Sequence, residues 1–288
     1  MTTTAAPDTT AVSDPSPQPH LQASGWSAFR ALLTRDAYVL AHNLKEFLPR
    51  TLIQPFLLVF VFTYVLPKIG LGIGANPAAG PEAAAAYSAS LIAGVVASVI
   101  LFQGIQAVAL PLVQEFGYTR EIEDRVLAPL PVELVAVEKI VAGALQCLLA
   151  ALLVFPIARF VPATAVHLHI HWLVLITLLP LACVMASSLG LTFGTLFDPR
   201  TVPMLFGVIV VPITFLGCIY YPWKALQAIR WLQIVSLANP LVYISEGFRA
   251  ALTDIPHMSL FAIYPAMVAL TAFLAWNGIR GFKKRVIA

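Results

Sequence analysis

Charge is scarce in this sequence. Asp, Glu, Lys and Arg make up only 11% of the 288 residues, while apolar residues make up 59%. A soluble domain carries about a quarter charged residues, so these charges are too few to cover a water-exposed surface and lipid must cover much of it. Because a spanning helix takes about 20 apolar residues, the length accommodates about five to seven spans, and we expect no additional folded soluble domain.

Cysteine is also rare, and the start of the chain lacks the features of a secretory signal. Cys147, Cys183 and Cys218 all lie in apolar stretches, which favours small buried side chains rather than disulfides. Residues 1–24 have neither a basic start nor an apolar core. They are rich in Thr, Pro, Ala and Ser, and we expect a disordered tail.

Common catalytic motifs are absent from the sequence. It contains no Gly-x-x-x-x-Gly-Lys-Ser/Thr, so it encodes no P-loop, and it contains no Gly-x-Ser-x-Gly or His-Glu-x-x-His. No acidic residue falls in the middle of an apolar run, which argues against a proton-driven transporter but not against a sodium site made of carbonyl groups. We expect no catalytic residue, metal or cofactor in this chain, so a partner must supply the energy for any uphill transport.

Long apolar runs predict an all-α polytopic membrane protein with about six transmembrane helices. The predicted spans are residues 51–66, 86–113, 140–161, 172–197, 203–221 and 260–282. The mixed segment 26–50 suits an amphipathic helix in the membrane interface, with an ordinary soluble helix as the alternative. The stretch Pro222–Ser259 is too apolar for a free loop and too interrupted for a span.

The distribution of Lys and Arg predicts the orientation. Roughly twelve lie on one side of the predicted spans and about five on the other, and the richer side is normally cytoplasmic. Both termini are therefore expected inside. On that side, the loop Gln114–Glu133 mixes charges of both signs with apolar residues. It suits a short helix that docks on a cytoplasmic partner, or else a solvated charged loop.

A set of short motifs occurs in order along the chain. The motifs are Leu91-Ile-Ala-Gly-Val95, Gln103-Gly104, Glu115-Phe-Gly-Tyr118, Arg120-Glu-Ile-Glu123, Leu127-Ala-Pro-Leu-Pro131, Glu138-Lys139, Tyr221-Pro-Trp-Lys-Ala-Leu226, Leu237-Ala-Asn-Pro-Leu-Val-Tyr243 and Phe248-Arg249-Ala-Ala-Leu252. This set resembles the permease subunits of type-2 ABC exporters, closest to the drug- and nodulation-factor-type branch. The resemblance runs from about Trp26 to the C-terminus. One departure is Arg120-Glu121-Ile122, where relatives usually carry a Glu-Gly or Gly-Thr pair.

The resemblance implies a domain over residues 25–288 that works as a homodimer or heterodimer in the cytoplasmic membrane. Two cytoplasmic ATPase subunits would bind the ATP and Mg and contact the interfacial helix and the inner loop. The ATPase-coupling residues it implies are Arg30, Arg35, Lys45, Glu115, Arg120, Glu121, Glu123 and Arg125. It also implies an outer re-entrant segment that contains Trp223, Trp231, Asn239, Pro240, Tyr243 and Arg249.

Uncharged polar residues within spans are candidates for a substrate path. Gln103, Gln106, Thr192 and Thr195 either line such a path or form hydrogen bonds between helices. In addition, Ala186, Gly190 and Gly194 form a stripe of small residues that permits close helix packing within the chain.

Three alternating histidines precede the fourth predicted span. His167, His169 and His171 have the residue type that binds zinc, but the sequence offers no nearby carboxylate or cysteine to complete a site. We therefore expect interfacial histidines without metal.

Together these features predict the membrane subunit of an ABC exporter for a hydrophobic or amphipathic substrate such as a drug, a lipid or a lipid-linked glycan. Its expected partners are ATPases, a second permease and membrane lipids, and no nucleic acid. An ion-driven secondary transporter and a non-transporting assembly subunit are the alternatives.

Overall fold

The structure of the protein is a computed structural model that describes residues 25–69, 80–119, 131–161, 168–197, 201, 204 and 206–287. Within those residues all regular secondary structure is helical, which confirms the predicted all-α class. The predicted tail at 1–24 lies outside the described residues.

Nine α-helices are labelled here, with shorter π- and 3₁₀-turns between some of them. The second helix continues through a π-helical turn (Val61–Val65) into Leu66–Lys68. A π-turn (Glu115–Thr119) follows the third, another (Phe206–Val210) precedes the sixth, and a 3₁₀-helix (Trp223–Ala228) precedes the seventh. The labelled helices are α1 Gly25–His42, α2 Leu44–Phe60, α3 Gly80–Gln114, α4 Val132–Phe160, α5 Trp172–Leu196, α6 Val211–Phe215, α7 Arg230–Ser236, α8 Pro240–Leu252 and α9 Leu260–Ile287.

Five helical segments in the described part of the chain are long and apolar enough to cross a membrane. They are Leu44–Lys68, Ala85–Gly117, Val132–Ala158, Trp172–Leu196 and Leu260–Val286. In the predicted span at 203–221, α6 ends at Phe215 and the chain turns at Cys218, which has a φ of 55°. A residue with a side chain rarely adopts this left-handed conformation, and it stops the helix. The six spans and the cytoplasmic termini stay predictions.

Two boundaries differ from those expected from the charge pattern. The predicted interfacial segment 26–50 is divided at Asn43, so Lys45 and Arg50 belong to α2 rather than to α1. The helix expected to begin at residue 140 begins at Val132 instead, directly after Pro131. Pro131 has an extended backbone, and the acidic side chain of Glu133 favours the start of a helix. The charged residues Glu133, Glu138 and Lys139 therefore belong to α4.

The core is built around α3, whose most extensive contact is with α5. Glycine permits this approach: a Cβ at Gly190 would lie 2.5 Å from the carbonyl oxygen of Gly104. The small-residue stripe of α5 thus packs within the chain, as expected. In the most apolar stretches of the spans Leu44–Lys68 and Leu260–Val286, only 17% and 11% of the residues are buried. Both helices therefore present apolar faces outward.

The three cysteines are free and buried, which confirms the expectation from their apolar surroundings. Cys147 lies on α4 and Cys183 on α5, both within the main hydrophobic core. Cys218 lies in the turn after α6 and belongs to the same core.

Candidate functional site

A polar cavity of about 790 Å³ lies between α1, α2, α3 and α4. Gln103 and Gln106 line it from α3, whose other faces are almost entirely apolar. A polar amide in an apolar helix needs a polar surrounding, and the cavity provides it. The lining also includes Arg35, Asp36, Val39, Leu40, Asn43, Glu46, Phe47, Arg50, Thr51, Ala107, Leu110, Pro111, Val113, Gln114, Glu115, Lys139, Ala142 and Gln146.

Two long hydrogen bonds connect α2 with α3 across the cavity wall. The Arg50 guanidinium donates to Oε1 of Gln106 at 3.4 Å, and the Thr51 hydroxyl donates to Oε1 of Gln103 at 3.4 Å. Hydrogen bonds of this length are weak, so a bound polar group can replace them at little cost. Their role in a substrate path stays a prediction.

A buried ion pair closes one side of the cavity. Nζ of Lys139 donates to Oε1 of Glu115 at 2.6 Å, and both side chains are below 10% exposed. Glu115 begins the π-turn that ends α3, and Lys139 lies in the second turn of α4. The pair therefore fixes the two helix ends between which the inner loop runs.

The predicted ATPase-coupling residues do not share one environment in the structure. Arg30 and Arg35 are exposed on α1, and Lys45 is exposed in the first turn of α2. Glu115 is buried against Lys139 rather than displayed on the surface, so any contribution from it to coupling runs through the position of the loop. The remaining four lie outside the described residues: Arg120, Glu121, Glu123 and Arg125.

A second charged cluster lies near the opposite end of α3. Arg249 and Glu246, one turn apart on α8, form an ion pair with both side chains fully buried. Nε of Arg249 donates to the Ser90 hydroxyl on α3 at 2.8 Å, and an Nη atom donates to the carbonyl oxygen of Cys218 at 2.8 Å. Burial lowers the pKa of the Arg249 guanidinium and the Glu246 carboxylate opposes that shift, so the cation is held by its partners.

Glu246 extends this cluster to two further segments. Its carboxylate accepts hydrogen bonds from the backbone N–H of Trp223 at 2.8 Å and of Met258 at 2.8 Å. The pair therefore joins α3, the turn after α6, the 3₁₀-helix and the approach to α9. We call Ser90, Glu246, Arg249 and their backbone partners the buried ion-pair cluster.

The remaining residues of the predicted outer segment stabilise the start of α8. Asn239 caps this helix by accepting from the N–H of Leu241 at 2.9 Å and also donates to the carbonyl oxygen of Ile213 at 2.7 Å. Pro240 occupies the first turn, where its missing N–H costs nothing. The Tyr243 hydroxyl donates to the carbonyl oxygen of Leu237 at 2.8 Å.

The two tryptophans of that segment have different surroundings. The Trp223 indole N–H donates to the carbonyl oxygen of Gln233 at 3.2 Å, whereas Trp231 on α7 is 69% exposed. An exposed tryptophan on a short helix suits a position at the level of lipid head groups.

The threonines proposed for a substrate path are engaged between helices. The Thr192 hydroxyl donates to the carbonyl oxygen of Leu274 on α9 at 2.8 Å, and Thr195 donates to that of Gly278 at 3.4 Å. Both side chains are buried. These contacts favour the interhelical alternative over a path.

The histidine segment lies beside a carboxylate, Asp254, that is more than 80 residues away along the chain. Nδ1 of His169 lies 3.0 Å from one carboxylate oxygen of Asp254, and Nε2 of His171 lies 3.1 Å from the other. The expectation that no carboxylate lies nearby was wrong, because the turn after α8 folds back onto the start of α5. Within the described residues no group of three or more ligands could hold a metal; His167 lies outside them.

The sequence analysis missed Glu246 and Lys139 as partners in buried ion pairs. One signal was available for Glu246, since it and Arg249 are the only charged residues between Arg230 and Asp254 and stand three residues apart. At that spacing two side chains meet on one face of a helix. For Lys139 and Glu115 the separation along the chain gave no such signal.

Five long apolar helices in the described part of the chain, with a polar cavity between helices and buried ion pairs near the ends of α3, are the features of a multi-pass membrane protein. Residues 27–253 match the family model described as ABC-2 type transporter. The chain belongs to the ABC-2 type transporter family.

Curated relatives match part of the chain. The chain is 27% identical over 169 residues to the Inner membrane transport permease YadH of Escherichia coli strain K12, which is 57% of this chain and 63% of that protein. Proteins of the same name from Escherichia coli O157:H7 and Shigella flexneri match to the same extent. The aligned region thus spans less than two thirds of these relatives.

Proposed function

We propose that this chain is the transmembrane subunit of an ATP-driven exporter in the cytoplasmic membrane. Separate cytoplasmic ATPase subunits, two per complex, bind ATP and Mg, and a second copy or a related permease completes the path. The cargo is hydrophobic or amphipathic. The family supports a transporter, and the absence of a P-loop in the sequence agrees with energy supplied by a partner.

One observation carries the proposal. The polar cavity shares its wall with α1 and with the Glu115–Lys139 pair from which the inner loop departs. A partner that moves α1 or the loop must therefore change the cavity. A motor can act on a distant path in this way, through an element with two discrete positions.

The outward-facing apolar helices support a second permease copy. Only 17% of the most apolar stretch of the span Leu44–Lys68 is buried, and Phe56, Leu57 and Val61 are among its exposed side chains. Apolar surface of this kind faces either lipid or another helix. The proposed complex uses part of it as a seam between permeases.

The test is purification from native membranes in mild detergent, followed by reconstitution with any ATPase that co-purifies. A near-stoichiometric P-loop ATPase and ATP-dependent transport in proteoliposomes are the expected results. Export driven by an ion gradient without an ATPase would contradict the proposal, as would a preparation that contains no ATPase after gentle cross-linking.

A double variant tests the coupling role of the inner loop. Arg120→Ala with Glu121→Ala should abolish transport while insertion and the unfolding midpoint stay unchanged, because it removes charges offered to the ATPase. Glu115 is kept, since its burial would confuse coupling with stability. Lys68→Ala, an exposed charge at the far end of the α2 segment, is the matched control and should transport normally. Full transport in the double variant would count against the loop.

A further inference from the structure

The polar cavity offers charges of both signs in equal number. Three cations line it, Arg35, Arg50 and Lys139, and three anions, Asp36, Glu46 and Glu115, so its formal charge is zero. Lys139 and Glu115 already neutralise each other in their buried ion pair, and the other four charges are again two cations and two anions. The balance favours a polar ligand without net charge that itself carries both signs.

Glu46 and Arg50 present these two signs together. They stand four residues apart on α2, a spacing at which side chains lie on the same face of a helix, and both line the cavity. The Arg50 guanidinium makes only the long 3.4 Å bond to Gln106 among its side-chain hydrogen bonds to described residues. It can therefore bind a phosphate, while the Glu46 carboxylate accepts from an ammonium group.

An apolar groove of about 200 Å³ continues the cavity between α1 and α4. The two spaces share Asp36, Leu40, Ala142 and Gln146, so a single molecule can occupy both. The rest of the groove is lined mainly by leucine and alanine, which suits an alkyl chain. The residues that line it without reaching the cavity are Leu33, Ala37, Ala41, Leu44, Leu145 and Leu149.

We propose that the cavity and the groove together bind one glycerophospholipid with a zwitterionic head group. The phosphate lies against Arg50, Thr51 and Gln106, and the ammonium lies against Glu46. One acyl chain runs along the groove between α1 and α4. The volume of the cavity falls within the range of small-molecule sites, and the groove selects a membrane lipid over a soluble zwitterion. Such binding requires neither an ATPase nor transport, so it stands or falls separately from the proposed function.

The experiment uses the full chain in detergent, with native mass spectrometry after exchange against phosphatidylethanolamine, phosphatidylglycerol or soluble glycerophosphoethanolamine. We expect one retained phosphatidylethanolamine per chain and several-fold weaker retention of phosphatidylglycerol. The soluble head group should not be retained. Preference for phosphatidylglycerol, or equal retention of the soluble head group, would overturn the proposal.

Charge variants locate the site. Arg50→Gln should weaken phosphatidylethanolamine retention about tenfold or more, because a charge-assisted hydrogen bond to phosphate is lost. Glu46→Gln gives the cavity a positive charge and should reverse the preference towards phosphatidylglycerol. Lys45→Gln is the matched control for lipid binding, since Lys45 neighbours Glu46 but does not line the cavity, and it should retain phosphatidylethanolamine to the same extent as wild type. If Lys45→Gln matches Arg50→Gln, the lipid binds by surface charge and the assignment fails.

A groove variant tests the acyl chain. Leu145 is 45% exposed, so Leu145→Gln is compatible with folding, which the unfolding midpoint verifies. It should weaken lipid retention several-fold by placing an amide against the chain. Unchanged retention in this folded variant would overturn the placement of the chain in the groove.

Discussion

The two ends of α3 hold charge in opposite ways. Near Ser90, the guanidinium of Arg249 and the carboxylate of Glu246 are fully buried and bonded to several segments. Near Gln106, about 24 Å further along the helix by its rise per residue, the buried Lys139–Glu115 pair is accompanied by an open cavity in which Arg50 makes a hydrogen bond of only 3.4 Å. A buried and fully bonded network requires fixed geometry, whereas side chains with long, weak hydrogen bonds tolerate an exchange of partners. One end holds its shape and the other can accept a ligand.

Breaking the buried ion-pair cluster should have the largest effect. Arg249→Met leaves the Glu246 carboxylate buried without its cation, and removal of one member of a buried pair costs about 3–5 kcal/mol. We expect little folded protein and a strongly lowered unfolding midpoint in detergent. The double variant Glu246→Gln with Arg249→Met leaves no unpaired charge and should recover part of that loss. A double variant as unstable as the single one would show that charge is not the cause.

Two lysine–glutamate ion pairs have the same N–O distance but differ in burial, so a comparison of them shows how burial alone affects stability. Lys139–Glu115 and Lys283–Glu133 both measure 2.6 Å, but the first pair is 6% and 7% exposed and the second 52% and 45%. Lys139→Met should lower stability by about 3 kcal/mol. Lys283→Met should leave the unfolding midpoint unchanged, because water already screens its pair. Similar unfolding midpoints for the two variants would show that burial does not determine how much each ion pair contributes to stability.

Close packing at Gly104 holds α5 against α3. Gly190→Ala places a methyl group against the Gly104 carbonyl, and overpacking of this kind costs about 1–3 kcal/mol. The control is Gly207→Ala, where an added Cβ meets nothing within 4 Å. Denaturant unfolding of both variants measures the difference. The packing account is contradicted if Gly207→Ala is the more destabilising change.

The smallest expected effect is at Thr192 on α5, whose hydroxyl bonds to α9. Thr192→Val removes the hydrogen bond to the Leu274 carbonyl and should cost about 1 kcal/mol, with the substrate range unchanged. Thr34→Val, which removes an exposed bond within α1, serves as a control of lower cost. If Thr192→Val changed the substrate range while stability stayed the same, Thr192 would instead be a residue of the substrate path.

Sequence composition predicted helices well where one apolar run formed one helix. The expected span 172–197 agrees with α5, Trp172–Leu196, because its flanks are polar or turn-forming. The run 203–221 looked equally apolar, yet its described helix, a π-turn followed by α6, covers only Phe206–Phe215. Apolar composition does not report the conformation of single residues such as Cys218, which ends that segment.

The functional sites depended more on tertiary contacts than on local pattern. Arg249 could be singled out from a motif, but its partner Ser90 is 159 residues away. Likewise Gln103 and Gln106 were recognisable as unusual on an apolar helix. The cavity that explains them needs α1, α2 and α4 in position, and no local signal gives their arrangement.

The burial of every native thiol makes this chain a convenient starting point for spectroscopy. Cys147, Cys183 and Cys218 are all covered by the core, so a water-soluble maleimide should find little to react with in the folded protein. A single cysteine placed on the exposed side of α1 would then carry a fluorophore or spin label with little background. Any movement of α1 in the proposed complex with an ATPase could then be followed without replacing a core residue.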